Sequence, residues 1–136
     1  MVRKVCEYSM DREVRLLFVY GSLMTEEYNH DHYLAGARYL GKASIFGFGL
    51  YNLGSYPGIK HIEEPYKVCG ELYEVNQRDF DRICILEGNG YMYQCESVSA
   101  VMEGSGERIL ADAFVYLGKV YENELFPGDV QNWKDR

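Results

Sequence analysis

The run Leu17-Phe18-Val19-Tyr20 is built of β-forming residues and leads directly into Gly21-Ser22-Leu23-Met24. Glycine at a strand end lets the backbone bend sharply and lets another group approach it closely. Ser22 adds a hydroxyl, and successive N–H groups aimed at one point form a concavity suited to an anion. An ordinary strand-to-turn junction carries the same residues, because short motifs recur by chance. Three carboxylates invite acid or base chemistry. Glu71 shares a strand face with Tyr73 and Val75, Glu87 ends a helix, and Glu96 lies on the following strand. From the residues alone, Glu87 reads as a solvated helix-end side chain.

Other chemistry has less support. His30-Asp31-His32 offers metal-binding residue types, but histidines two apart on a helix point away from each other, so a polar, solvated face is expected and no metal site. Cys6, Cys69, Cys84 and Cys95 form no CxxC and no zinc-like spacing. Cys69, Cys84 and Cys95 sit among apolar residues, where free cysteine packs as a small core residue. Neither Cys84 nor Cys95 has a histidine nearby in sequence to act as base. Reduced thiols point to a cytoplasmic location.

A net charge of −7 argues against a nucleic-acid partner, which needs a basic surface to displace phosphate counterions. No apolar run approaches the roughly 18–20 residues of a membrane span, and residues 1–13 carry no signal-peptide core. With 136 residues, 47% apolar and 26% charged, the chain is expected to form one globular domain over 14–136 behind a polar N-terminal extension over 1–13. Tyrosine is over-represented, 13 against 6 Phe and 1 Trp, which suits half-buried strand faces and pocket walls. The oligomeric state is left open.

The elements follow from pattern. A first strand is expected over 15–20, a short helix starting near Thr25-Glu26-Glu27, and another over Asn29 to Ala37, where Tyr33, Leu34 and Ala37 share a face. Ala43 to Tyr51 reads as one long strand bent at its glycines. Residues 52–58 read as a turn, and Val68 to Val75 alternates as a strand. Asn76 is a good helix N-cap with Asp79 behind it, and Gly88 a good C-terminal stop. Phe80, Ile83 and Cys84 form that helix's inner face. Strands over 91–102 and 109–117 complete an α+β chain: a small mixed β-barrel, or roll, of about six strands flanked by two or three short helices.

The order of motifs resembles the γ-glutamylcyclotransferase-like family, which takes in γ-glutamylamine cyclotransferase and AIG2-like proteins. The residues that carry the resemblance are FVYGSLM (18–24), Asn29 through Leu34, Gly41-Lys42-Ala43, GLYNLGSYPGI (49–59), GELYEV (70–75) and LEGNGYMY (86–93). They span roughly residues 15–117. The resemblance implies that Glu87 is the catalytic glutamate. It also implies that Tyr20, Gly21, Ser22 and Leu23 form the substrate-cradling loop, and that Leu53, Gly54, Tyr56, Pro57 and Tyr93 lie near the pocket. Departures are Gln94, where many members have arginine, and Pro127-Gly128-Asp129-Val130 with Trp133 displaced. They bear on substrate identity and pocket closure.

The implied reaction takes a small-molecule γ-glutamyl substrate to 5-oxoproline and a free amine. The substrate's α-amine attacks its own γ-carbonyl, so the implied chemistry calls for no cofactor, metal or protein nucleophile. Burial of Glu87 among Leu86, Tyr91 and Tyr93 would raise its pKa and make it a better base. The other reading keeps the same cavity as a non-catalytic module that binds a small carboxylate or a peptide end.

Overall fold

The computed structural model describes residues 13–136. Five strands close on themselves: β1 (Val14–Val19), β2 (Arg38–Phe46), β5 (Lys67–Asn76), β6 (Tyr93–Met102) and β7 (Arg108–Tyr116). Their order is β1-β7-β6-β2-β5, and the β1–β5 pairing completes the barrel. The β1–β7 pairing is parallel and the other barrel pairings are antiparallel. A hairpin of β3 (Phe48–Asn52) and β4 (Pro57–His61) stands apart as its own sheet, and the short β8 (Val130–Gln131) runs parallel to β5. The mixed barrel matches the class expected from sequence; among the described residues it closes with five strands in place of about six, and three further strands lie outside it.

The additional strands have local causes. Ala43 to Tyr51 is not one strand, because Gly47 adopts φ +85° and turns the chain from β2 into β3. Residues 52–58 are only partly a turn, since β4 begins at Pro57. Proline is tolerated as the first residue of a strand, where no ladder bond is asked of its nitrogen.

Among the described residues two α-helices pack outside. The α1 helix (His30–Leu34) is shorter than the expected 29–37 and lacks a side-chain cap at Asn29. The Thr25-Glu26-Glu27 segment is a series of turns in place of a helix. The α2 helix (Gln77–Glu87) is bounded by both expected signals. Asn76 accepts a 2.7 Å hydrogen bond from the Asp79 N–H. Gly88 takes the left-handed conformation at φ 61°, and the N–H groups of Gly88 and Asn89 return to the carbonyls of Ile85 and Cys84. That crossed pair satisfies the last carbonyls of the helix.

The core runs through the barrel and under α2, with Leu17, Ile45, Val68, Leu72, Val75, Ile83 and Ala113 fully buried. Cys69, Cys84 and Cys95 are free and half-buried, so they rim the core and do not fill it as expected. Cys6 and the extension expected over 1–13 fall, Glu13 apart, outside the described residues. The Glu13 carbonyl accepts from the Gln77 N–H at 2.9 Å, tying the entry to β1 to the start of α2. Among the described residues no helix is long and apolar enough to cross a membrane.

Candidate active site

The end of β1 enters a tight loop whose shape is set by contact. Gly21 is buried, and a Cβ there would lie 2.7 Å from Pro57 Cγ. Glycine is therefore required because the loop rests on the proline ring. The Met24 N–H donates to the Gly21 carbonyl at 3.0 Å and the Asn29 N–H to the Ser22 carbonyl at 2.8 Å. The Asn29 side chain donates to Ser22 Oγ at 2.9 Å, and His30 Nδ1 meets the Leu23 carbonyl at 3.0 Å. The carbonyls of the loop are thus occupied from behind. Among the described residues the backbone N–H groups of Gly21, Ser22 and Leu23 take no intraprotein acceptor. Such a cradle of free N–H groups suits an anionic oxygen.

This loop forms one wall of a cavity of about 220 Å³. Ser22, Leu23 and Asn29 lie on that wall, Tyr56 and Pro57 come from the approach to β4, and Leu86 and Glu87 from the end of α2. Met92 and Tyr93 enter from the start of β6, Phe114 from β7, and Phe18 to Tyr20 from β1. Glu87 is the one charged side chain of the lining. It is held there because α2 stops at Gly88 and the chain doubles back, the Met92 N–H returning to the Gly88 carbonyl at 2.8 Å.

Two tyrosine hydroxyls fix the walls. Tyr20 donates to the Phe114 carbonyl at 2.6 Å and Tyr93 to the Pro57 carbonyl at 2.6 Å. Burial drives both hydroxyls well above the ordinary tyrosine pKa, helped by the charge of Glu87, so both stay protonated donors. The Glu87 carboxyl is pushed from 4.5 up to about 7 by desolvation. Its surface remains partly accessible because it forms the cavity wall itself, while the apolar lining withdraws water from the carboxylate.

Of the site residues expected from sequence, Glu87, Tyr20, Gly21, Ser22, Leu23, Tyr56, Pro57 and Tyr93 line this cavity. Gly54 does not. It sits in the exposed turn ahead of β4 at φ +109°, its N–H held by Asn52 Oδ1, and it serves the turn. Leu53 likewise closes that turn through the Tyr56 carbonyl. Tyr91 was expected to bury Glu87, yet it is 82% exposed. Asn29, Met92 and Phe114 were not expected. Asn29 lay within a quoted motif, but the position of Phe114 depends on β7 running beside β1.

The rival carboxylates lie elsewhere. Glu96 pairs with His61 at 2.7 Å, and Glu71 lines a separate cavity. His30 and His32 do not converge, since His32 packs edge-on against Tyr33. Among the described residues no group of three or more His, Cys, Asp or Glu side chains is arranged to hold a metal ion.

Comparison with known proteins points one way. The family model described as gamma-glutamyl cyclotransferase, AIG2-like, matches residues 17–135. A Methanocaldococcus jannaschii protein, whose name assigns it provisionally to the γ-glutamylcyclotransferases, is 32% identical over 100 residues, or 74% of this chain and 82% of its own. A similarly named Vibrio cholerae protein is 36% identical over 84 residues, covering 61% of this chain and 70% of its own. Among solved structures, an uncharacterized protein of Pyrococcus horikoshii superposes with TM-score 0.70 at 26% identity, covering 89% of this chain and 91% of its own. A mouse AIG2-like protein superposes with TM-score 0.69 at 20% identity, covering 89% and 96%, and supports the fold alone.

Proposed function

The chain belongs to the γ-glutamyl cyclotransferase, AIG2-like family, and from that premise we propose that it is a cyclotransferase releasing 5-oxoproline and a free amine from a γ-glutamyl compound. The observation that carries the reading is the shared cavity: Glu87 and the Gly21-Ser22-Leu23 loop line one concavity, although they are far apart in sequence. In this reading the substrate's α-amino nitrogen attacks its own γ-carbonyl carbon. A ring C–N bond forms and the γ-amide C–N bond breaks. Glu87 takes a proton from the attacking amine and returns it to the departing nitrogen.

Each part has a physical reason. Holding amine and carbonyl near contact removes much of the entropic barrier, and a cavity of about 220 Å³ with stiff aromatic walls favours the folded conformer. An α-amine with a reference pKa of about 8 is largely protonated at neutral pH, so a base is needed. A carboxyl raised to about 7 is matched to that task. The free N–H groups of the loop hold an anionic oxygen of the substrate.

The test is a panel of γ-glutamyl compounds incubated with the purified protein and assayed for ring-closed product by mass spectrometry. Product from at least one member, dependent on Glu87, supports the proposal. Stabilisation of the protein by the compounds without product would replace it with a binding role.

A further inference from the structure

Glu71 is a buried carboxylate outside the cavity that Glu87 lines. It is 6% exposed, and its Oε1 accepts three bonds: from the Thr25 N–H at 2.8 Å, the Thr25 hydroxyl at 3.0 Å and the Tyr73 hydroxyl at 2.9 Å. Its Oε2 faces Lys134 Nζ at 4.0 Å, and the same ammonium donates to the Thr25 carbonyl at 2.5 Å. Thr25 is therefore gripped through both its N–H and its C=O by side chains from β5 and from the 3₁₀ turn Trp133–Asp135. Bonds donated to a carboxylate are about twice as strong as bonds between neutral groups.

What this grip opposes is visible one residue on. Glu26 holds φ 70°, a region that side-chain-bearing residues rarely adopt. Such a conformation persists only where its surroundings over-determine it. Arg136 adds a bond to Glu27 at 3.0 Å while lying on the buried Trp133 ring, so the segment after Glu26 is pinned as well. Ser22 and Leu23, whose N–H groups are free among the described residues, stand three and two residues before Thr25 in the same loop.

Resting on the cyclotransferase reading above, we propose that Glu71, with Lys134, is a positioning residue that clamps Thr25 and so aims the N–H groups of the Gly21-Ser22-Leu23 loop into the cavity. Its place behind the loop, away from the Glu87 cavity, excludes it from direct contact with a substrate there.

The experiment compares Glu71→Met, which removes the acceptor, with Glu71→Gln, which keeps an acceptor oxygen at the Oε1 position. For Glu71→Met, kcat/KM falls by about tenfold or more, the size of a lost charge-assisted bond. The pH midpoint set by Glu87 does not move, amide exchange accelerates at Met24 and Thr25, whose N–H groups are bonded, and Glu71→Gln restores most of both readouts. Wild-type kcat/KM and exchange in Glu71→Met would overturn the clamp, as would a lower melting temperature with the kcat/KM of the folded protein unchanged. If Glu71→Met does not fold, Thr25→Val, which loses the hydroxyl bond to Glu71 and keeps the N–H bond, is compared on the same readouts with Thr25→Ser, which keeps both. Should the wild type make no ring-closed product, the exchange arm still decides the clamp, and the failure belongs to the cyclotransferase reading.

Discussion

The Tyr93 hydroxyl donates to the Pro57 carbonyl at 2.6 Å, joining β6 to the first residue of β4 across the cavity wall. The ring of the same proline carries Gly21, so two contacts through three residues link the helix-end side of the site to the strand-end loop. Removing the hydroxyl leaves a buried carbonyl without a partner. Tyr93→Phe is therefore expected to cost about 1–3 kcal/mol of stability and to raise KM as the loop loses its rest. Thermal melts and steady-state kinetics on one preparation check both, and an unchanged melt would show that the wall is held otherwise.

Glu87→Gln keeps the shape of the side chain and removes its basicity. A general base contributes about 10²–10⁴-fold, so product formation is expected to fall by that order while the fold persists. Mass-spectrometric detection of 5-oxoproline measures the loss. Equal turnover by the glutamine variant would exclude the proton-transfer role.

Acidity gives a second, independent handle on Glu87, whose carboxyl is raised from 4.5 to about 7 by burial. Below 4.5 the group is protonated in both folded and unfolded chains and adds nothing to the pH dependence. Between the two values the unfolded chain has released a proton that the folded chain keeps, so stability falls as pH rises, and above about 7 the full cost is present. The cost is at most about 3 kcal/mol. Glu87→Gln should therefore match the wild type near pH 4.5 and exceed it in stability at about pH 8. In the wild type kcat/KM should rise with pH through a midpoint near 7, as the base ionises. A stability difference that is constant across pH would contradict the buried carboxyl.

How much of this was legible in the chain differs by element. The ends of α2 were readable because a cap is a local matter: Asn76, Asp79 and Gly88 act within a few residues of one another. The strand end at Tyr20-Gly21 was readable for the same reason, though the cause of the glycine was not, since Pro57 reaches it only through the fold. The β4 strand was hidden behind turn-forming residues, and Gly47 gave no sign that it separates two sheets. Phe114 enters the cavity because β7 lies parallel to β1, a long-range pairing that leaves no local trace. Tyr91 misled in the other direction. It neighbours Glu87 in sequence, but the doubling-back at Gly88 turns it outward.

Gly21 allows the sharpest steric test. A methyl group there would sit 2.7 Å from Pro57 Cγ and 3.1 Å from Cδ, both in a ring that cannot rotate away. The loop or the start of β4 must then move, and overpacking of this kind costs about 1–3 kcal/mol. The carbonyl of Pro57 is tied to Tyr93, so displacement of the proline also disturbs the wall on which Tyr93 lies. Gly21→Ala is expected to lower the melting temperature modestly and to depress kcat/KM far more than that loss of stability accounts for, because the N–H groups of the next two residues lose their aim. The pH midpoint should stay near 7, since burial of the Glu87 carboxyl sets it and the added methyl is aimed at Pro57. Kinetics across pH, measured well below the melting temperature, separate the two effects. A variant with normal kcat/KM would mean that the close approach of loop and proline matters for packing alone.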